Sequence, residues 1–400
     1  MENFILTRDN FSLPKDIIYL NGNSLGPLPR ATAENVQKVI KKEWGELLID
    51  AWNEACWIDT PTLLGEKIAK IIKAPPNTVV VGETLSIRLY QVLDAAIQLS
   101  KANKSTKTTI LTDTGNFPTD RYIAQSLANR YSNTRVKTVP PDKIFENLNQ
   151  DISILFLTEV DFKTGRLHDM QKINMRAKNL NIITIWDLAH SAGVIDINVK
   201  KANVDFAVGC TYKYLCGGPG SPAFLYTKKE LLEGFSPTLT GWMGHEHPFS
   251  FKSNYTPARG ISKFRIGTPE ILQMAALESS LKIWNTIDVS QVRETSRYLT
   301  DVFIKEVKSG CPNLVLASPE NSINRGSHVS FYSANGYPII QALRSNGIIG
   351  DFREPNLMRF GFNPLFNSKQ DAIFAAETLC RIILNREWEK PNFLKKKTVT

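Results

Sequence analysis

The chain has 400 residues, 42% of them hydrophobic and 22% charged, which suits a soluble globular protein built as one large domain with a smaller one. Its formal net charge of +9 does not point to nucleic acid or a membrane surface, because the positive residues are scattered and the one dense run, Lys395-Lys396-Lys397, lies at the extreme C-terminus. Five dispersed cysteines (Cys56, Cys210, Cys216, Cys311 and Cys380) fit neither a disulfide framework nor zinc spacing, so reduced thiols, no metal and a cytoplasmic location are expected.

The start, "MENFILTRDNFSLPKDIIYL", carries acidic Glu2 and lacks the apolar core of a secretory signal. No apolar run approaches the ~18–20 residues of a membrane span. An arm, "IIYLNGNSLGPLPR", leads into a helix, "ATAENVQKVIKKEWGELL", with Pro29 just ahead of it as a start signal. From about residue 60 helices and strands alternate. "TPTLLGEKIAKIIKA", "IRLYQVLDAAIQLS", "TDRYIAQSLANRY" and "MQKINMRAKNLN" read as helices. "TVVVGE", "KTTILTDT", "TRVKTVP", "DISILFLTEV", "IITIWDLAH", "VDFAVGCTY" and "SPAFLYT" read as strands. Their near-continuous apolar runs are those of strands covered on both faces, so an open, mostly parallel α/β sheet is expected over roughly residues 60–240. After residue 270 come long helical stretches and the short strands "LVLAS", "SHVSFYS" and "LMRFGF", an α+β pattern. The division expected is 1–60 for the arm and first helix (part of the small domain or a dimer contact), 61–270 for the large domain and 271–400 for the small one.

Ligands of open α/β sheets lie beyond the carboxyl ends of the strands, so the residues there are the candidates. After "VVV", Thr84 and Ser86 open a helix; its free N–H groups and a hydroxyl can hold an anion, or Thr84 can simply cap the helix. After "TILTDT" comes "GNFPTD", where Phe117 can stack on a flat ring and Thr119 or Asp120 can cap the next helix. After "IITIW", Asp187 is costly to bury without a cationic partner, and His190 follows. After "DFAVGC" stands Thr211-Tyr212-Lys213 and a glycine-rich turn. A lysine there can act as an amine nucleophile, while the glycines allow backbone to approach a ligand. An anion cup, a stacking aromatic, an acid and a lysine are what pyridoxal 5'-phosphate requires: a phosphate site, a face partner, a carboxylate on the pyridine nitrogen and an amine for the Schiff base.

With these residues in place the chain resembles the kynureninases. The likeness runs through "YLNGNSLGPLP", "GNFPTD", "TGRLHDM", "WDLAHSAG", "DFAVGCTYKYL-GGPG", "GWMGH", "FRIGTPEIL" and "LMRFGFNPLFNS", in order and over most of the chain. The resemblance implies the fold type I of pyridoxal-phosphate transferases, with a large, mostly parallel α/β domain and a smaller α+β C-terminal domain. It implies a homodimer with a shared active site and an amino-acid substrate. By the same resemblance Lys213 would carry the cofactor, Asp187 would pair with the pyridine nitrogen beside His190, and Phe117 would cover the ring with Thr119 and Asp120 close by. Leu85, Ser86 and Tyr212 would hold the phosphate, joined by Trp242 and Thr268 of the partner subunit. Arg359 would bind the α-carboxylate, a task its planar fork suits. Trp242 and His245 would otherwise form a packed turn, and Arg359 a surface ion pair.

The implied reaction is hydrolysis of the Cβ–Cγ bond of L-kynurenine or 3-hydroxykynurenine to an anthranilate and L-alanine, a step of tryptophan catabolism and NAD biosynthesis. Lys213 would take the α-proton and Tyr212 would be a proton donor. Three positions depart from the family: Arg88 for Asn, Glu159 for the His of many bacterial relatives, and Cys216 for Asn. Arg88 and Glu159 could pair with each other, which keeps the substrate. Alternatively Arg88 could face the ligand, which implies a different β-substituted or γ-keto amino acid. A cysteine desulfurase would need a mobile catalytic cysteine and a His in the place of Tyr212. A cofactor-binding pseudoenzyme would not need Lys213, Asp187 and Arg359 together.

Overall fold

The computed structural model describes residues 5–102 and 108–396; Glu2 and Lys397 lie outside the described residues. Its centre is a seven-stranded sheet in the order Val79–Val81, Phe224–Thr227, Phe206–Gly209, Ile183–Asp187, Ile154–Thr158, Thr108–Asp113, Thr134–Val139. Phe224–Thr227 runs antiparallel to both neighbours, and the other pairings are parallel. The inner strands are buried along their length because helices cover both faces, while the edge strand Thr134–Val139 is largely half-buried or exposed. One core holds Leu64, Ile68, Leu111, Leu155, Leu157 and Trp186, and the opposite face packs Leu89, Val92, Ile110, Phe156 and Val208. Parallel strands joined by crossovers put all their carboxyl ends on one edge, which is where the site forms.

The second unit is a four-stranded antiparallel sheet, Val315–Leu316, His328–Tyr332, Leu357–Gly361 and Asp351–Arg353 in spatial order. It packs on the helices Val289–Gly310, Gly336–Ser345 and Lys369–Leu384 around Phe303, Phe331, Met358 and Phe360. Met274, Leu277, Leu281 and Val292 belong to the core of the larger sheet, and Leu299 onward to that of the smaller one. The change of core therefore falls within one long helix, Val289–Gly310, rather than at residue 270. The arm joins the smaller unit through Ile18–Tyr19, which pairs parallel with Ile348–Ile349. No helix among the described residues is long and apolar enough to cross a membrane.

Candidate active site

Lys213 follows the strand Phe206–Gly209 in a tight loop. Gly217 donates to the Thr211 carbonyl at 2.8 Å, and the Thr211 hydroxyl donates to the Pro222 carbonyl at 2.6 Å. Gly218 (φ +95°) and Gly220 (φ +73°) take backbone conformations that side chains disfavour. From below, Gly26 of the arm donates to the Tyr212 carbonyl at 2.7 Å. A Cβ at Gly26 would lie 2.4 Å from the Lys213 carbonyl, so only glycine lets the arm brace this loop. The lysine side chain is half-buried, and its Nζ lies 2.8 Å from His190 Nε2. Burial, with the positive charge of Lys213 next, holds the His190 imidazole well below its ordinary pKa. His190 is therefore neutral near pH 7, with its Nε2 in hydrogen-bond contact with the Lys213 amine.

Asp187 ends its strand fully buried, with Oδ1 accepting from the Ala189 backbone N–H at 2.7 Å. It thus caps the following turn and also faces the site. Asp120 is not a helix cap: the helix Pro118–Arg130 has no side-chain cap, and Asp120 is turned inward against Asp187. Asp120 Oδ2 accepts from the Thr158 hydroxyl at 3.2 Å, and the Asp120 carboxyl is hydrogen-bonded to that of Asp187. Burial raises both carboxyls, and the charge of Asp187 pushes Asp120 further up. Two adjacent buried carboxyls share one proton, which Asp120 keeps, leaving a single negative charge on Asp187. That charge suits a cationic ring nitrogen.

Around the acids stand the other parts of a pyridoxal-phosphate site. Phe117 is 41% exposed beside them, a large apolar side chain left open at a strand end, with Phe162 against its edge at 5.0 Å. Thr119 is half-buried in the same first turn. Glu83 adopts φ +57° just before the 18-residue helix Leu85–Ala102. Thr84 Oγ1 accepts from the Ile87 N–H at 3.4 Å, while Ser86 stays exposed on the first turn with its hydroxyl available to an anion. The buried acid pair, the open aromatic face, the helix start and the lysine fit this cofactor.

Tyr212 is half-buried, with Lys213 Nζ 5.8 Å from its ring centroid. The neighbouring Cys210, and then burial, raise its phenol, so it remains protonated and able to donate at neutral pH. Arg359 is fully buried and gripped from several sides. Nε donates to Asp351 Oδ1 at 2.7 Å and Nη2 to Asp351 Oδ2 at 2.6 Å, while Nη2 also reaches Ser24 Oγ at 3.1 Å and Nη1 donates to the Phe162 carbonyl. It is no surface ion pair. Asp351 and Ser24 were not singled out from sequence; the cross-strand register that sets Asp351 opposite Arg359 would have been the signal. His328 was also missed. It lies fully buried with its ring 5.7 Å from that of His190, and only the packing of the smaller unit against the larger brings it there.

The three departures from the family do not converge on this group. Arg88 is 1% exposed, donating to the Gly82 carbonyl (2.9 Å), the Phe264 carbonyl (2.8 Å) and Gln91 Oε1 (2.8 Å). The expectation that Arg88 pairs with Glu159 is corrected: its nearby charges are Glu83 and Glu270, whereas the cationic neighbour of Glu159 is Arg293. Consecutive strand-end residues point to opposite sides, so Thr158 meets Asp120 while Glu159 lines a separate cavity of about 440 Å³ with His168, Met170 and Asp196. Arg88, spent on backbone carbonyls, is likewise placed as a brace and not on a ligand. Cys216 takes φ +55° and packs its thiol under the loop, where a Cβ on Gly26 would be 2.6 Å from its Sγ. Asn suits that left-handed conformation better than Cys, so the substitution changes the support of the loop rather than its ligand face.

Trp242 lies in a separate aromatic group, its ring 6.3 Å from Trp52, 5.5 Å from Phe249 and 6.3 Å from Phe251. Thr268 is exposed. His245 is packed in the same turn, with Nδ1 accepting from the His247 N–H at 2.8 Å.

Comparison with known proteins agrees with this geometry. A family model described as "Kynureninase C-terminal domain" matches residues 292–379. The kynureninase of Pseudomonas fluorescens is 40% identical over 397 residues, covering 98% of this chain and 95% of that protein. The kynureninase of Burkholderia mallei (strain SAVP1) is 40% identical over 398 residues, with 98% and 95% covered. Among solved structures, the apo cysteine desulfurase of Thermococcus onnurineus NA1 superposes with a TM-score of 0.79 at 17% identity, covering 95% of this chain and 98% of that one. The cystine C-S lyase C-DES in complex with cysteine persulfide gives 0.77 at 19% identity, covering 92% and 98%. These structural likenesses speak for the fold, which is that of fold type I pyridoxal-phosphate enzymes. Taken with identity of 40% over almost the whole length, they lead to one conclusion: the chain belongs to the kynureninase family.

Proposed function

We propose that this chain hydrolyses the Cβ–Cγ bond of L-kynurenine or 3-hydroxykynurenine, releasing an anthranilate and L-alanine. The observation that carries the reading is the Lys213 amine held on a neutral His190 beside a buried carboxyl pair. Pyridoxal 5'-phosphate, when bound, supplies an electron sink for negative charge at the substrate Cα.

The chain's own groups do the rest. Leu85 and Ser86 at the helix start would receive the phosphate, with Tyr212. Phe117 would cover the ring, with Thr119 close by. Asp187, with its single negative charge secured by protonated Asp120, would hold the ring nitrogen protonated. Arg359 offers the α-carboxylate a guanidinium fixed in its plane by Asp351 and Ser24. Lys213 takes the α-proton, with His190 as the group that shares its amine protons. Water adds at the γ-carbonyl carbon, the Cβ–Cγ bond breaks with its electron pair on Cβ, the anthranilic acid leaves, and Tyr212, still protonated at neutral pH, would donate its proton to Cβ of the alanine fragment.

The active species in this reading is a homodimer. Its support is the exposure of Phe249 and Phe251, whose rings pack on Trp242; an apolar patch of this kind marks an interface. Trp242 and Thr268 would then reach the partner's phosphate. The test is a product assay on the holoenzyme with kynurenine, 3-hydroxykynurenine and acidic analogues, alongside sedimentation. Anthranilate release by a dimer is expected; turnover of only the acidic analogues would reject the substrate assignment.

A further inference from the structure

The step from the edge strand Val79–Val81 into the helix Leu85–Ala102 is a bulge. Gly82 donates to the Ala223 carbonyl at 2.9 Å, but the Ala223 N–H donates to the Glu83 carbonyl, also at 2.9 Å, so two residues stand opposite one. Gly82 takes φ +147° and Glu83 φ +57°. The second is a left-handed conformation that a residue with a β-carbon disfavours, and the backbone bonds around Glu83 hold it there. Its N–H donates to Glu270 Oε1 at 3.1 Å. Arg88 Nε fastens the preceding carbonyl, that of Gly82, at 2.9 Å.

Glu270 comes from a distant part of the chain, at the N-terminal boundary of the helix Ile271–Ile283, and is half-buried. A polar side chain at that position ordinarily caps its own helix. Glu270 serves its helix only with its carbonyl, which accepts from the Met274 N–H at 2.9 Å; its side chain makes no cap and is turned to Glu83 instead. What this secures is the first turn of the helix Leu85–Ala102. There the Thr84 hydroxyl takes the Ile87 N–H at 3.4 Å, and the Thr84 carbonyl takes that of Arg88 at 3.1 Å. The N–H groups of Leu85 and Ser86 are the ones an anion can take, and the turn at Glu83 sets their direction.

We propose that Glu270 is a positioning residue for the cofactor's phosphate: by accepting from the Glu83 N–H it fixes the left-handed step and so aims the Leu85 and Ser86 N–H groups. The inference rests on the placement of the phosphate at this helix start given above. Charge alone calls for the opposite effect, because an ionised carboxyl near an anion weakens its binding. The direction of the change on mutation therefore separates the two roles of the side chain.

The test uses the cofactor-free full chain and two probes, pyridoxal 5'-phosphate and pyridoxal, which lacks the phosphate. The ratio of their Kd values, from absorbance titration, reads the phosphate site alone. Glu270→Ala is expected to lower the advantage of the phosphate-bearing probe about five- to tenfold, the effect of one hydrogen bond. Glu270→Gln, which keeps an acceptor oxygen without a charge, is expected to leave that advantage unchanged or raise it. Glu83→Gly supplies a residue free to take positive φ, so in that background Glu270→Ala is expected to cost less than about twofold. An equal loss for both probes, a tighter phosphate in Glu270→Ala, a Gln variant as weak as Ala, or the full loss in the Glu83→Gly background overturns the proposal. These outcomes are separable from the reading beneath it. Equal affinity of the wild type for the two probes overturns the phosphate placement itself. A wild type that prefers the phosphate-bearing probe, with a Glu270→Ala variant that prefers it as strongly, overturns this inference alone.

Discussion

Arg359 and Asp351 are locked together in the floor of the smaller sheet, guanidinium Nε and Nη2 on the two carboxylate oxygens at 2.7 and 2.6 Å. The pair is buried, so the arginine has a fixed plane before any substrate arrives. Arg359→Lys keeps the charge and loses the fork. KM for kynurenine is expected to rise about ten- to a hundredfold, the equivalent of one lost charge-assisted bond. Asp351→Asn leaves a buried arginine short of its counter-charge and should cost about 3–5 kcal/mol in urea denaturation.

Arg88→Asn replaces the guanidinium with the short amide that the resemblance to the family leads one to expect there. Arg88 donates to the Gly82 and Phe264 carbonyls, so its loss strands buried acceptors. A stability loss of about 1–3 kcal/mol per stranded group is expected in denaturant melts. The ratio of kcat/KM between kynurenine and acidic analogues should stay unchanged; a switch in that ratio would return Arg88 to the ligand.

The two acids should differ on mutation. Asp187→Asn removes the charge opposite the ring nitrogen and should lower kcat by at least about a hundredfold. Asp120→Asn replaces a protonated acid with an amide that still donates, so its loss should be about tenfold or less. Equal losses would contradict the proton assignment.

Glu159 carries a pH signature in stability. Burial pushes its carboxyl up to about 7 from 4.5, so the folded state holds a proton that the unfolded chain has released between those values. Stability contributed by this group is therefore greatest below pH 4.5 and falls as pH rises to about 7, by up to about 3 kcal/mol. Glu159→Gln should flatten that part of the profile in urea titrations run from pH 5 to pH 8.

Tyr212→Phe removes a proton donor but leaves the lysine and the acids. Cofactor absorbance should be retained while turnover drops by about a hundredfold or more. A fully active variant would exclude Tyr212 from proton transfer.

Much was legible in the sequence for a simple reason. Strands covered on both faces must be largely apolar, so the inner strands of the large sheet stand out as runs, and residues just past them must gather at one edge. Lys213, Asp187, His190 and Phe117 were found that way from order along the chain. Local residue type also fixed the glycine turn after Lys213, since Gly218 and Gly220 adopt positive φ.

What only the tertiary structure decided concerns direction and register. No local pattern tells which way a charged side chain turns at a strand end, so Arg88 and Glu159 looked like neighbours of the ligand and each found a different partner. Nor can one segment say that Asp351 lies opposite Arg359, that Gly26 braces the Lys213 loop, or that His328 lies behind His190. Those pairs are distant in sequence and are set by which strands pair and how the two cores pack, a property of the whole chain rather than of any stretch of it.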